Sequence, residues 1–409
     1  MKLHSVGAKI GLGCGAILVS LLGIGVFYTV LGSALPVPAP LPLPQPNGYD
    51  FYIAAARALV PANPPVDAIG DKVSRTPAEI ARNYAPSRRQ RWIATNAKSW
   101  NLLSRATRLP ARNSTPRSAV SELTSDYRLL RELARGQSIR VKDFKSKNQW
   151  NAALSAGLNT LQMGRDIERG APLIGSLVGI AVEAIGDSVL QDVPSHLSAT
   201  EAKSGARRLE RLIAGATPFS SVLSEDKWNF ATFLSTDWEK PGNRGAGFWG
   251  HFLMPKTRIL RSYNQMMDEF IAQADKPARA QTKVEQPGPW TYPVNILYSP
   301  LPRSFFNDHR RKTLEHLLFL RLALRAYRLE NGGYPDEIES LTPKYLAKIP
   351  VDAFGRGERL HYRKNADAYT LWSIGPDEID NGGAPILNKR GRKPRFYTQE
   401  SRGDVVAQP

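Results

Sequence analysis

Two acidic residues, Glu183 and Asp187, stand four apart in the most hydrophobic stretch that follows the first 35 residues. That spacing puts both on one face of a helix, where paired carboxylates can do acid–base work; the plainer reading is a solvent-exposed rim on a core helix. The glycine-rich, aromatic stretch Pro241–His251 offers Trp249 and His251 as walls of a pocket or, more simply, an irregular connection. Together these four residues define a possible extracytoplasmic hydrolase site. His309 and His316 are seven apart on one predicted helix, without the carboxylate spacing of a zinc-binding motif. No Gly-x-Ser-x-Gly elbow and no phosphate-binding loop occurs.

The elements around these residues read as mainly α. A first amphipathic helix covers 49–59, ended by Pro61 and the Pro64-Pro65 pair, and Thr76-Pro77-Ala78-Glu79 has the composition of a helix start. Further helices are expected over 88–107, 116–135, 148–168, 172–190, 198–214, 218–237 and 255–275, so residues 48–307 form an all-helical domain. Although 172–190 is apolar, Glu183 and Asp187 interrupt it, which predicts a central buried helix rather than a second membrane span. Residues 308–385 read as a small α+β module: a helix over 308–331 stopped at Asn331-Gly332-Gly333, a short helix at 336–342, and strands 359–363 and 369–374 around a turn at Asn365-Ala366-Asp367. The basic run Lys389–Arg395 lies in a tail, 386–409, expected to be flexible and solvated.

Three segments of that module carry a resemblance. Ala326–Pro335, with Asn331-Gly332-Gly333-Tyr334-Pro335, is followed by Ile349-Pro350-Val351-Asp352-Ala353-Phe354-Gly355 and then by Tyr369–Asp377, with Ser373-Ile374-Gly375-Pro376-Asp377. In this order they resemble the head domain of type II secretion major pseudopilins, over roughly residues 311–385. The resemblance implies an α+β head and a calcium-holding acidic loop after the last strand, carried onto Asp377, Asp380 and Asn381; an ordinary turn accounts for the same residues. The family's processing site before its membrane helix is absent, so the resemblance does not extend to fibre assembly. More broadly, the layout is similar to bacterial envelope proteins that combine an anchor, a helical body and a pseudopilin-like end.

From Ile10 to Leu35 no residue is charged, and Lys2 and Lys9 precede the run. About 26 helical residues reach about 39 Å, more than the ~30 Å hydrocarbon core, so residues 10–35 are expected to cross the lipid bilayer once. The flanking lysines keep the N-terminus inside, which places the body outside the bacterial cytoplasmic (inner) membrane; cleavage near Ala34 is the alternative. Gly7, Gly11 and Gly15 line one face of this segment and could pair two copies. Residues 36–47, with proline at every second position from Pro36 to Pro46, predict an extended stalk that stands the body off the membrane.

Composition excludes wholesale disorder: 42% of the 409 residues are hydrophobic and 22% charged. The single cysteine, Cys14, sits inside the apolar run, too near its start for lipidation, so the body has no disulfide. A formal charge of +18 favours acidic partners. For an exported chain these are acidic glycans or lipid headgroups rather than nucleic acid. The expected role is scaffolding, assembly or binding in the cell envelope, with the hydrolase and the acidic-polymer binder as alternatives.

Overall fold

The computed structural model describes residues 37–61, 86–117, 120–236, 256–285, 298–388, 390–392, 394, 397–407 and 409. Residues 10–35 with Gly7, Gly11, Gly15 and Cys14, the helix start at Thr76, and Trp249 and His251 lie outside them. The described helices are α1 (Gly48–Ala58), α2 (Pro86–Thr95), α3 (Ala97–Ala106), α4 (Val120–Ser146), α5 (Trp150–Glu168), α6 (Leu173–Leu190), α7 (Ala199–Ala214), α8 (Phe219–Thr236), α9 (Lys256–Ile271) and α10 (Leu301–Asn331). A three-stranded antiparallel sheet, β1 (His361–Asn365), β2 (Ala368–Ser373) and β3 (Val405–Ala407), completes the architecture in the order β1-β2-β3. The protein is therefore mainly helical, with a small sheet near its C-terminal end.

Local chemistry accounts for several boundaries. Asn47 accepts from the Tyr49 amide and opens α1, and a complete capping box between Ser198 and Glu201 opens α7. Gly332, at φ 78°, closes α10 in the left-handed region, where a side chain would be strained. The single helix expected over 88–107 is broken at Asn96. Its side chain bonds both the amide and the carbonyl of Val60, and these long-range bonds fix a bend between α2 and α3.

Helix α6 is the core of the body, as its composition predicts. It is long and apolar enough to cross a membrane, as part of Leu173–His196, but more than half of that stretch is buried inside the protein. It lies along α5 at very short range because glycines face each other. A Cβ on Gly179 would fall 2.5 Å from the Gly164 carbonyl oxygen, a backbone atom that cannot step aside. Gly179→Ala is therefore expected to cost about 1–3 kcal/mol through overpacking; a melting temperature equal to that of the parent would refute the close approach.

Three hydrophobic clusters hold the elements together. One joins α1, α3, α4 and α5 around Tyr52, Leu103 and Leu130; another gathers α8, α9 and the start of α10 around Phe219, Tyr263 and Phe305. The largest runs from α5, α6 and α7 along the C-terminal half of α10 and into the sheet, through Leu158, Leu209, Leu322, Tyr369 and Val405. The boundary expected at 307/308 falls inside α10, which serves the helical body with one half and the sheet with the other.

Two expectations are corrected. Among the described residues of 386–409 the chain is not a loose tail: Ile386 and Val405 are buried, and residues 405–407 return as β3 against β2. The basic run had concealed the short apolar segment Val405-Val406-Ala407 that earns this place. Residues 37–46 of the proline-rich segment form neither helix nor strand, and they do not stand free of the body. Val37 packs against the cluster around Phe219, Arg117 donates to the Pro38 carbonyl at 2.5 Å, and Asn47 donates to the Arg112 carbonyl. A segment fastened at both ends lies along the surface rather than acting as a spacer.

Candidate functional site: a charge network and its cleft

Three helices bring charged side chains into the interior: Arg165 and Glu168 from α5, Glu183 from α6, and Asp308, Arg311 and Glu315 from α10. Arg165 pairs with Glu315 and, at 3.5 Å, with Glu183. Arg311 reaches Glu183 at 3.6 Å, Glu168 at 3.9 Å and Asp308 at 2.5 Å, while Lys312 closes on Asp308 at 2.7 Å. Glu183 is only 3% exposed, so the solvent-rim reading of this residue is wrong. Asp187, one turn later, stays partly exposed.

Four carboxylates thus share two guanidinium groups and one ammonium, and the surplus negative charge is relieved by a proton. Burial pushes the Glu183 carboxyl up to about 8 even against the pull of Arg165 and Arg311, so it is predominantly protonated at neutral pH. Glu168 is raised as well, by burial above all. Asp308 is held below the usual carboxylate range, because Lys312 and Arg311 outweigh its own burial. Hydrogen bonding within the network is incomplete: Glu168 Oε1, Glu183 Oε1, Glu315 Oε1 and Arg311 Nε make none. A network in this condition costs stability relative to an apolar core but responds sharply to protons.

The network meets the surface at Asp187. A narrow recess lined by Glu183, Arg311 and Glu315 shares Asp187, Arg310 and Leu314 with a wider cleft of about 410 Å³. The cleft lies between α6, α10 and the returning C-terminal segment, with Lys142 of α4 at its edge. Its walls are mostly apolar, including Ile185, Ile386, Val405 and Val406, and its polar groups include the carboxyls of Asp187 and Asp404, the cations Lys142 and Arg310, and Tyr397. Arg310 lies 5.7 Å from the centre of the Tyr397 ring. Burial lifts Asp187 to about 7, in opposition to Arg321 and the hydrogen bond from Gln191. With Asp187 lifted toward its neutral form, Lys142 and Arg310 outnumber the remaining carboxylate, Asp404, whose oxygens accept from the Asn381 and Gly383 amides, an arrangement suited to holding an anion.

Sequence-predicted site residues are distributed differently. Asp377 accepts from the Gly403 and Ile379 amides, Asp380 from the Trp372 indole and the Gly382 amide, and the Asn381 side chain donates to the Ile379 carbonyl. The Asp377 oxygens thus fasten the turn to the C-terminal segment at Gly403, and Asp380 ties it to β2 at Trp372. Among the described residues, no group of three or more His, Cys, Asp or Glu side chains is spaced to hold a metal ion. Glu183 and Asp187 do share one helix face, one feeding the network and the other the cleft. His309 and His316 are both buried, and His316 Nδ1 lies 3.0 Å from the Val351 carbonyl oxygen. Arg165, Arg311, Glu315 and Tyr397 were not anticipated; the available signal was ionisable residues recurring on the apolar faces of two helices, Arg165/Glu168 and Asp308/Arg311/Glu315.

Stability should register these protons. In the unfolded chain, carboxyls ionise near 4, whereas in the fold Asp166, Asp187 and Glu183 hold theirs to about 6, 7 and 8, with burial as the main cause in each. The folded state binds more protons between those limits, so each group lowers stability as pH rises through its window. Buried His309, pushed down to about 4, acts in the opposite sense, but only below the ordinary histidine value of about 6.5. Between pH 6.5 and 9 the carboxyls act alone. The expected loss is about 3 kcal/mol, seen as a melting temperature lower by about 3–5 °C; a melting temperature that rises over this range would contradict the assignment.

Comparison with family models, with curated proteins and with solved structures gives no match to this chain.

Proposed function

We propose that this chain is a membrane-anchored protein of the bacterial envelope, and that the cleft beside Asp187 holds an acidic group of an extracytoplasmic glycan or lipid. The observation that carries the binding reading is the convergence of Lys142, Arg310 and Asp187, whose carboxyl burial lifts, on a mostly apolar cleft that also holds Asp404. The uncharged run 10–35 behind two lysines supports the anchor. The docking of Val37 and Pro38 supports a body held close to the bilayer rather than at stalk length, because only a residue or two separates Leu35 from the first body contact.

Binding is tested with the full chain in detergent, titrated with a sulfated polysaccharide at several salt concentrations. A protein of this charge attracts any polyanion, so the decisive comparison is between two variants of equal charge. Lys142→Gln with Arg310→Gln is expected to weaken binding at least about tenfold, a loss of about 1.4 kcal/mol or more. Arg207→Gln with Arg211→Gln, on the exposed face of α7, is expected to weaken it far less. Equal losses would reduce the interaction to bulk charge and remove the cleft from it. The anchor is tested separately: a reporter active only in the cytoplasm, fused behind Pro46, should be silent.

A hydrolytic reading has one specific observation behind it, the Asp187 carboxyl lining a cleft where burial lifts it to about 7. It requires turnover of a bound glycan or ester that disappears in Asp187→Asn while binding persists.

A further inference from the structure

The docked proline-rich segment fixes which corner of the body lies beside the start of the chain. Arg117 is the tie: it donates to the Pro38 carbonyl, pairs with Glu225 of α8 at 2.9 Å, and sits 5.2 Å from the centre of the Trp228 ring. Next along α8, Asp226 accepts from the Leu173 amide, which opens α6, and Val37 packs against the cluster that contains Leu173. The other end of the segment is held by Asn47, which donates to the Arg112 carbonyl. A Cβ on Gly170, between α5 and α6, would fall 3.0 Å from Arg112 Cγ. Both ends of the segment are thus fixed beside the α5–α6 turn.

This corner shows apolar side chains to solvent. Leu41 and Leu43 are 60% and 40% exposed, and Ile174, the second residue of α6, is 48% exposed. Trp228 is partly exposed. A single exposed leucine is ordinary on any protein surface; the position of these three is not, because they gather where the anchor meets the body.

What covers them follows from the chain itself. The apolar run expected to cross the bilayer ends at Leu35, and Val37 is already docked. Two residues reach at most about 7 Å, close to the thickness of one headgroup layer. A run longer than the hydrocarbon core is accommodated by tilt, which keeps its end at the boundary. We propose that this corner is the membrane-contact face of the body, with Leu41, Leu43 and Ile174 set into the headgroup layer and the Trp228 indole at the level where such rings are favoured. The inference rests on the anchor proposed for residues 10–35. Because the anchor tethers the body, contact is intramolecular, and a small apolar patch is enough to hold it.

Helix α10 begins in the cluster that receives Val37, and its 31 residues carry the chain about 46 Å along their axis. Asp336, exposed just past the far end of α10, is the control position. The test uses the full chain in vesicles of phosphatidylcholine with a minor fraction of phosphatidylglycerol, with a fluorophore on single cysteines. Lipids carrying a nitroxide at the headgroup or along the acyl chain serve as quenchers. Cys14, the one native cysteine, lies in the apolar run and reports on the anchor itself. In a Cys14→Ser background, Leu41→Cys, Ile174→Cys and Asp336→Cys report on the body. Labels at positions 14, 41 and 174 are expected to lose most of their emission, whereas the label at 336 keeps its own. Should one corner variant fail to fold, the other decides. Quenching at 14 with emission retained at 41 and 174 would overturn the contact face and leave the anchor standing. No quenching at 14 would remove the anchor and the face together, and equal quenching at 336 would mean that the body does not rest on this corner.

Discussion

Replacing Arg311 by methionine is expected to destabilise the protein by about 3–5 kcal/mol, the cost typical of removing one partner from a buried ion network. Arg311 contacts Glu168, Glu183 and Asp308. Its guanidinium is held charged because these carboxylates outweigh the penalty of its own burial. Methionine fills much of the same volume, so the loss is electrostatic rather than a cavity. A further change should demonstrate this: with Glu168→Gln added to Arg311→Met, part of the stability is expected to return, because one unpaired buried charge has gone. Glu183→Gln alone should be nearly neutral at pH 7, where that carboxyl is already protonated, and should flatten the fall in stability above pH 7. Denaturant titration at pH 6 and pH 8.5 separates these outcomes. If Arg311→Met melted with the parent, the network would not be what sets α10 against α5 and α6.

The second large effect is expected at Asp352, whose exposure is 0%. Its carboxylate accepts from the Ser373 hydroxyl at 2.6 Å, the Ile374 amide at 2.9 Å and the Phe354 amide at 3.0 Å. Asp352→Ala leaves two buried amides and a hydroxyl without an acceptor, a loss of about 3 kcal/mol or more. Asp352→Asn keeps one acceptor oxygen and should lose less. Hydrogen exchange offers a local readout: the Ile374 amide should lose protection in the alanine variant more than amides in α5 do. Uniform loss across both would point to global unfolding, and unchanged protection at Ile374 would contradict the bond. The same geometry explains why Pro350-Val351-Asp352-Ala353-Phe354-Gly355 and Ser373-Ile374-Gly375 belong together: the aspartate of the first segment satisfies the donors of the second. This is a packing requirement and fixes no activity.

Much of the helical content was legible because local rules decide it. The apolar periodicities of 148–168, 172–190 and 198–214 end within a residue or two of α5, α6 and α7. Gly332 stops α10 where a left-handed residue is required, and the strand pair falls within two residues of its expected ends. Where neighbours distant in sequence decide, the same rules failed. Asn96 bends what reads as one helix by bonding Val60, thirty-six residues away. Arg117 and the cluster around Phe219 take hold of a proline segment that by itself only extends.

The candidate sites divide in the same way. The sequence by itself determined that residues 10–35 are uncharged and apolar, and that α6 carries Glu183 and Asp187 on one face. Only the tertiary structure decided that Glu183 is buried between Arg165 and Arg311, and that Asp187 opens onto a cleft with Lys142 and Arg310. The physical reason is range. Periodicity and capping act over a few residues, whereas desolvation and charge pairing depend on whichever side chains packing brings within a few ångströms, and here those come from α4, α5, α6, α10 and the final strand.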